Sequence, residues 1–347
     1  MKLSELKITP LLDTLRLEDV SDDEYFSEKY SNYISNSRLS LINPDQGGCP
    51  EDFFVTRPVQ RSDSLRFGGA VHTLVLQPSD FTLVDSVDAP TAKAHYMAEY
   101  LFNVMKEKGT TSPTDEEIIE ASNIIDYYKD NMTDKKIADL RLKCNQYWLQ
   151  RFLFEKDYKG EQTPIYLDPR NRSKLQSCLE SIEKDKSFKK LLCPEYISTP
   201  PITGNERTIL LDIKVEAKDI NPFVLKIKAK LDNFSIDFEE NTITVNDLKT
   251  TGRVITEFDN AISKYHYNRE IALYSWLLLL CADKFYSVKN PIIKGNFLVV
   301  ETIPNYLTGV VPMTPKLYKE GIKEFQHLIK LVAFYVLNGY EEFGTKL

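Results

Sequence analysis

The chain has 347 residues, of which 42% are hydrophobic and 27% are charged, so it is long enough to bury a substantial core as one elaborated domain or two smaller ones. Its net charge of −7 argues against a protein that coats polyanions with its whole surface, although a local basic groove is compatible with it. No apolar run is long enough for a transmembrane helix, and the N-terminus lacks the regions of a signal peptide. We therefore expect a cytoplasmic protein without membrane contact.

The five cysteines stand at scattered positions and form no Cys-x-x-Cys pair. This pattern is typical of reduced cytosolic thiols and supports neither a zinc ribbon nor an iron–sulfur site. We expect no iron–sulfur cluster among the cofactors.

The N-terminal region reads as a polar segment followed by a short helix. The acidic residues 17–26 predict a solvated lead-in. The segment YSNYISNSRLSLINP, residues 30–44, predicts a short helix that Ser35 or Ser37 caps and that Pro44 ends.

Two helical segments follow. Residues 60–81 predict a loop with two glycines and then a helix that carries His72. Residues 113–160 have a helical pattern with an acidic first turn, and they predict an inserted helical subdomain.

The periodicity changes at about residue 205. Alternating β-branched residues predict strands in the segments ERTILLDIKVEA, FVLKIKAKLDNFSIDF and NTITVNDLKT. Residues 257–280 return to helical spacing, and two further strands and a closing helix at 315–338 follow. This order predicts one mixed α/β domain over residues 1–347, in which helices flank a mixed central sheet and residues 205–303 form a β-rich catalytic core.

Charged residues lie at the ends of two predicted strands. Asp232 and Asp247 each end a strand of one hairpin, so their carboxylates can meet across the ladder. Hard divalent ions such as Mg²⁺ prefer oxygen ligands of this kind. Lys249 follows Asp247 by two residues, so its side chain points to the same face of the strand and can orient a metal-bound water. The segment therefore predicts metal-assisted hydrolysis.

This Asp-x-Lys spacing has a rival in the chain and a purely structural alternative. Asp212 and Lys214 have the same spacing within a predicted strand, but no acid-bearing strand precedes them and no helix follows. Asp247 and Lys249 are also compatible with alternating polar residues on a solvated strand face. His72, beside apolar neighbours, is by itself more typical of a satisfied core residue than of a metal ligand.

Together these segments resemble the PD-(D/E)XK nuclease superfamily, and within its RecB-like exonuclease branch the phage and prophage exodeoxyribonuclease VIII (RecE) type. GGAVH resembles the helix that carries a metal-binding histidine, KAKLD the strand that ends in an aspartate, and VNDLKTT the Asp-x-Lys strand. YNREIALY resembles the following Tyr-x-x-Gln-x-x-x-Tyr helix, with Glu270 in place of the glutamine and Tyr274 one turn later. ISNSRLSLINP is similar to the opening serine-containing helix, and the motifs span residues 37 to 274.

The resemblance implies a PD-(D/E)XK restriction-endonuclease-like core with a helical insertion. The catalytic residues it implies are Asp232, Asp247, Lys249, Glu270 and Tyr274; the metal ligands are His72, Asp232, Asp247 and the carbonyl of Leu248; Ser37 and Arg38 lie near the DNA strand. Mg²⁺ would be the cofactor, and Mn²⁺ would substitute for it.

Three arginines precede the predicted His72 helix, namely Arg57, Arg61 and Arg66. Phosphate contacts by these residues would guide a DNA strand toward the site and would be sensitive to salt. Each of them is equally compatible with an exposed arginine of a loop.

On this basis we expect an Mg²⁺-dependent exodeoxyribonuclease that hydrolyses the phosphodiester bonds of linear duplex DNA in phage-type recombination. Its partners would be DNA and a single-strand-annealing recombinase, and a homo-oligomer is expected because ring-shaped oligomers occur in this branch. Two alternatives stay open. Glu270 and the acidic balance are compatible with a catalytically weak or inactive DNA-binding or scaffold protein, and the metal chemistry is compatible with a phosphohydrolase of small nucleotides.

Overall fold

The computed structural model describes residues 3–55, 62–218, 220–339 and 345–346. The chain divides into two compact units: the first comprises Met1–Pro58 and Ile182–Leu347, and the second comprises Val59–Ser181. Within the described ranges, no helix combines the length and the apolar character needed to cross a membrane. The segment 113–160, predicted to be a helical insertion, lies inside the second unit.

Helices and strands are numbered along the whole chain. The helices of the described ranges are α1 (Asp22–Tyr25), α2 (Asn36–Ser40), α3 (Pro50–Phe54), α4 (Asp63–Leu76), α5 (Ala92–Lys108), α6 (Asp115–Ile125), α7 (Asp134–Asp157), α8 (Pro169–Lys184), α9 (Lys186–Leu192), α10 (Phe258–Tyr265), α11 (Tyr267–Tyr286) and α12 (Pro315–Leu337). The strands are β1 (Lys7–Asp19), β2 (Tyr33–Ile34), β3 (Phe81–Leu83), β4 (Thr163–Ile165), β5 (Ile202–Glu216), β6 (Phe223–Asp237), β7 (Thr242–Thr251), β8 (Ile292–Glu301), β9 (Thr308–Pro312) and β10 (Thr345–Lys346).

The first unit is built on a sheet that mixes both pairing directions. Its main path has the order β1-β5-β6-β7-β8-β9. β7 and β8 run parallel, and the other neighbours along this path run antiparallel. The short strands β2 and β10 pair with the beginning of β6. The prediction of a mixed α/β fold with a mixed central sheet flanked by helices is confirmed.

Helices α11 and α12 form an apolar layer with the sheet. Leu225 of β6, Leu277 of α11 and Phe325 of α12 belong to the same buried cluster. Gly321 of α12 lies directly against the backbone of α11. A Cβ at this position would come within 2.3 Å of the carbonyl oxygen of Asn268. A glycine is therefore required at position 321, and it allows α12 to pack closely against the start of α11.

Strands β6 and β7 separate in the middle of the sheet. Their ladder ends at the pair Asn233 and Asn246, whereas β7 continues beside β8 to its last residue. The next residues are Asp232 on β6 and Asp247 on β7, which lie inside their strands and not at the strand ends that the sequence predicts. We call the place where the two strands diverge, next to these aspartates, the β6–β7 split.

Four asparagines cross the sheet beside the β6–β7 split and lie in register on β5, β6, β7 and β8: Asn205, Asn233, Asn246 and Asn296. From β8 to β5, each side-chain amide donates a hydrogen bond to the next asparagine, at 2.9, 2.7 and 2.7 Å. Neighbouring residues of a strand point to opposite faces of a sheet. This asparagine ladder therefore fixes a register in which Asp232 and Asp247 share the other face.

The N-terminal region differs from the sequence-based expectation. Lys7–Asp19 forms the edge strand β1, which the sequence pattern does not reveal because Pro10 and several charged residues interrupt its alternation; an edge strand tolerates both. The acidic side chains of the segment 17–26 are mostly exposed, as predicted. The segment is nevertheless held on the sheet, since Val20 and Tyr25 are buried against it.

The structure shows where α4 and α2 begin. The two glycines before His72 lie inside α4 rather than in a loop before it, because α4 begins at Asp63 and Ser62 is its cap. Of the two candidate caps of α2, Ser35 is the one used, and its hydroxyl accepts a hydrogen bond from the backbone of Arg38.

In the part of the second unit that the structure describes, residues 62–181, helices are joined by the two-stranded sheet β3–β4. Its core brings together apolar residues of α5, α6 and α7, including Phe102, Ile118 and Trp148. The 24-residue helix α7 buries only one of its sides in this core.

Candidate active site

Asp232 bridges the β6–β7 split. Its Oδ2 accepts a hydrogen bond of 2.7 Å from the backbone N–H of Leu248 on β7. This bond takes the place of the ladder bond that the diverging strands no longer make. The carboxylate of Asp232 is thereby held next to the backbone that follows Asp247.

Asp247 is almost completely buried, with 1% of its surface exposed. Its Oδ1 accepts a hydrogen bond of 2.9 Å from Lys249 Nζ. Its Oδ2 lies 2.8 Å from the same nitrogen, so both carboxylate oxygens contact the ammonium of Lys249. Burial raises the pKa of Asp247 well above its usual range; the ammonium of Lys249 opposes this shift, and Glu270 and Asp232 add to it. The carboxylate would be stabilised by a further cation.

Lys249 lies between two carboxylates. Its Nζ is 3.0 Å from Glu270 Oε2 as well as in contact with Asp247, and it lies 4.8 Å from the ring centre of Tyr267. Burial lowers the pKa of Lys249, but the carboxylates of Asp247 and Glu270 outweigh burial and raise this pKa well above its usual range. Lys249 is therefore a fixed positive charge and not a proton acceptor near neutral pH.

Glu270 and Tyr274 occupy one side of α11. The hydroxyl of Tyr274 donates a hydrogen bond of 3.1 Å to Glu270 Oε1, as the four-residue spacing predicts. Burial raises the pKa of Glu270, but Lys249 and the hydroxyl of Tyr274 lower it by more, so the net shift of this pKa is downward. Glu270 is thus an ionised member of the same cluster as Asp247, and its neighbour Arg269 does not pair with it.

Arg269 points about 100° around α11 from Glu270 and joins α11 to α2. Its guanidinium donates to Asn36 Oδ1 at 2.8 Å, to Ser40 Oγ at 2.7 Å and to Glu324 Oε1 at 2.8 Å. The side chain is fully buried. This network holds the serine-containing helix α2 against the helix that carries Glu270.

The predicted DNA contacts on α2 have different surroundings. Ser37 is exposed, and its hydroxyl lies 3.0 Å from that of Ser35. Arg38 donates to the carbonyl oxygens of Phe53 and Ser31 and packs over the Phe53 ring. Arg38 therefore contributes to the packing of α2 on α3, and Ser37 is the more accessible of the two.

His72 and Arg66 belong to α4 in the second unit. His72 is half-buried. Arg66 is largely buried and lies 2.9 Å from Asp63 and 3.8 Å from Asp168, so acidic side chains of its own unit already neutralise it. The other two arginines of this group, Arg57 and Arg61, lie outside the described residues.

Glu206 was missed by the sequence analysis. The β5–β6 register pairs Asn205 with Asn233 and Arg207 with Leu231, which places Glu206 directly across from Asp232. Glu206 has a positive φ of 51°, and burial, reinforced by the charge of Asp232, raises its pKa. Like charges opposite each other in a sheet are destabilising. In the sequence, Glu206 is only one of several polar residues at the start of a predicted strand. Its position next to Asp232 follows from the β5–β6 register, which the sequence does not reveal.

A row of lysines on β6 was also overlooked. Lys226, Lys228 and Lys230 alternate along the strand before Asp232, so they share its face. Lys228 is buried and donates to the carbonyl oxygen of Tyr25 at 2.7 Å; burial lowers its pKa to about 8, and the charge of Arg38 adds to this shift. Lys230 pairs with Asp22. The N-terminal segment therefore covers much of this row.

The other Asp-x-Lys pair, Asp212 and Lys214, lies outside the cluster of Asp232, Asp247 and Glu270. Asp212 lies across from Lys226 and 3.8 Å from its ammonium, and Lys214 pairs with Glu216 at 2.7 Å. Lys226 and Asp232 are six residues apart on β6, about 20 Å. Asp212 is therefore remote from the β6–β7 split.

No protein-family model matches the sequence, and no curated protein is significantly similar to it. The fold can be superposed on a crystal structure from Eubacterium rectale named "Putative exonuclease", with a TM-score of 0.44, 11% sequence identity, and coverage of 95% of this chain and 90% of that chain. At this level of similarity, the interpretation of the site depends on the residues of the chain itself.

Proposed function

We propose that the chain is a metal-dependent deoxyribonuclease with a PD-(D/E)XK core and that the β6–β7 split is its active site. The observation that carries this proposal is the charge balance of the site: Asp247 and Glu270 share the single ammonium of Lys249, and Asp232 adds a further negative charge beside Asp247. Burying carboxylates whose charge one ammonium does not balance is costly. A divalent cation bound there would remove the cost.

Asp232, Asp247 and the carbonyl of Leu248 would hold Mg²⁺, and Mn²⁺ would replace it. All of these donors are hard oxygens, which such ions prefer. Paired residues of an antiparallel ladder can exchange both hydrogen bonds because the N–H and C=O of one residue point to the same side of the strand. Since the N–H of Leu248 donates to Asp232, its carbonyl is directed toward the same split. His72 would be a further ligand on the resemblance alone.

The bound ion would supply Lewis-acid activation of the phosphate and of the attacking water. Lys249 would orient that water and stabilise the negative charge of the phosphate, since its raised pKa keeps it protonated. Asp247 and Glu270 position its ammonium from two sides. Tyr274 in turn holds Glu270 through its hydroxyl.

The substrate we propose is linear duplex DNA, hydrolysed from its ends in phage-type recombination. This part of the proposal comes from the resemblance to the RecE-type exonucleases, as does a single-strand-annealing recombinase as partner. Ser37, exposed on α2, would contact the DNA backbone, and Arg38 would act chiefly by holding α2 in place.

A DNA-binding or scaffold protein with weak catalysis is the second candidate. Two observations favour it: Glu270 adds a negative charge where the resemblance expects glutamine, and Lys249 is already paired with two carboxylates. Both would disfavour the approach of a phosphate.

Incubation of linear and closed circular duplex DNA with Mg²⁺, Mn²⁺ or EDTA distinguishes these functions. Metal-dependent loss of the linear substrate alone is the result we expect. Binding of DNA without cleavage in either metal would favour the scaffold, and turnover of free nucleotides with intact DNA would favour a nucleotide phosphohydrolase.

A further inference from the structure

Helix α7 carries a row of exposed leucines on the side that faces away from its own core. Cys144 and Trp148 are buried in the core of the second unit. Leu142, Leu149 and Leu153 are 79%, 62% and 56% exposed. At 3.6 residues per turn, the three leucines fall within about 40° of one another around the helix, opposite the buried side. We call these three residues the α7 stripe.

Charged residues of opposite sign lie at the two ends of the α7 stripe. Asp139 precedes it, Lys156 follows it, and both are exposed. Within the described part of the chain, neither side chain forms an ion pair. They are about 25 Å apart along the helix axis. Their charges are thus available to a molecule that lies along the stripe.

The stripe and its charges are complementary to themselves in the antiparallel direction. If a two-fold axis passes beside the peptide bond between residues 147 and 148, Leu142 faces Leu153 of a second copy. The same alignment places Asp139 opposite Lys156 of the second copy. Each contact occurs twice, as a two-fold interface requires. A register shifted so that Leu149 meets its own symmetry mate would instead place Leu142 against a lysine.

A shallow groove lies at the end of the α7 stripe. It has a volume of about 540 Å³ and is lined by Leu153, Phe154 and Tyr158, among others. In the antiparallel alignment, Leu142 of the second copy lies next to Leu153 and so beside this groove. The groove would therefore receive an apolar side chain at each end of the paired helices.

We propose that the α7 stripe is a homodimer interface, occupied by the α7 helix of a second copy of this chain in antiparallel orientation. Burial of the leucines would provide the driving force. The Asp139 and Lys156 pairs would fix the direction and the register, which is the main role of charges at the edges of helix pairs. This interface is independent of the chemistry at the β6–β7 split.

Sedimentation velocity of the full chain over a range of concentrations tests this proposal. The wild type should have a mass of at least two chains, and Leu149→Glu should halve the mass. Asp139→Lys and Lys156→Asp should each raise the dissociation constant of the dimer roughly tenfold, since each creates two like-charge contacts. The double variant with both changes should recover the wild-type constant.

Leu307→Glu is the matched control, because Leu307 is similarly exposed, at 55%, and lies outside α7. It should leave the mass unchanged. Far-ultraviolet circular dichroism should be the same for all variants, since the substituted residues are exposed. A wild type that is monomeric at all concentrations would overturn the proposal, and so would an oligomer that Leu149→Glu and the charge reversals leave intact.

Discussion

Lys249 and Glu270 form an ion pair of 3.0 Å between strand β7 and helix α11, and the same ammonium contacts Asp247. The cation of Lys249 is therefore shared by two buried carboxylates. Asp232 adds a third negative charge close enough to raise the pKa of Asp247. One ammonium does not neutralise three carboxylates, and either a proton on one of them or a further bound cation would relieve the repulsion.

Replacing Glu270 by glutamine should weaken the stabilisation that a divalent ion confers. We expect the melting temperature of the wild type to rise by about 2–6 °C with Mg²⁺, because the ion binds the folded state preferentially. Glu270→Gln should show a smaller rise, while its cleavage is preserved or improved because less negative charge faces the phosphate. Thermal melts with and without Mg²⁺ measure the first effect.

Glu320→Gln removes the same charge from an exposed position of α12 and should behave as the wild type does. Melting temperatures of the wild type and Glu270→Gln that are both insensitive to Mg²⁺ would show that Glu270 has no part in binding the ion.

Replacing His72 by alanine shows whether this residue binds the metal or packs in the core. If His72 is a metal ligand, the variant should need roughly tenfold more Mg²⁺ for half-maximal cleavage and should melt close to the wild type. If it is a packing residue, the variant should lose about 1–3 kcal/mol of stability with an unchanged metal requirement. A metal titration beside a thermal melt decides, and His327→Ala, an exposed histidine of α12, is the control.

Replacing Asn246 by alanine should destabilise the first unit by about 2–4 kcal/mol, because it leaves several buried polar groups without a partner. Asn246 donates to Asn233 and to the carbonyl oxygen of Leu191, and it accepts from Asn296. Urea unfolding measures this loss. Asn260→Ala on the exposed side of α10 should cost much less, and equal costs for the two variants would mean that the asparagine ladder does not fix the register.

The sequence predicts the parts of the site that depend on local periodicity. Alternating β-branched residues predict β6 and β7, and the four-residue spacing of Glu270 and Tyr274 predicts their contact on one side of α11. These patterns suffice because strand and helix periods bring the side chains together within single elements.

Other parts depend on contacts between distant segments and could not be predicted. Glu206 meets Asp232 only through the β5–β6 register. The burial of Tyr25 depends on the sheet beneath it. An arginine such as Arg38 can bind phosphate, but its guanidinium donates to carbonyl oxygens of another helix and of a turn. No local pattern distinguishes a phosphate from a carbonyl oxygen as the acceptor.

His95 should make the second unit sensitive to mild acid. Burial, with smaller contributions from the charges of Arg66 and Arg151, lowers its pKa to about 3, whereas an unfolded histidine has a pKa of about 6.5. Between these values the unfolded chain binds the extra proton, so stability falls as the pH falls from about 6.5 toward 3. From pH 7 to pH 5, His95 should contribute a loss of about 2 kcal/mol.

His95→Phe keeps an aromatic ring and removes the titrating group, so its free energy of unfolding should fall by less over the same pH interval. Glu99, whose carboxylate lies 3.6 Å from the imidazole, favours protonation and would reduce the difference. Urea unfolding at the two pH values measures it, and parallel losses in wild type and variant would exclude His95 as the cause.

In the proposed nuclease, Asp247 at the β6–β7 split would hold the divalent ion that DNA cleavage requires. The most direct test is the Mg²⁺-dependent rate of loss of linear duplex DNA, measured for Asp247→Asn and for the matched variant Asp212→Asn, with circular dichroism to show that both are folded. Asp247→Asn should lose at least about 99% of the activity, and Asp212→Asn should keep nearly all of it. An active Asp247→Asn beside an inactive Asp212→Asn would contradict the placement of the metal site at Asp247.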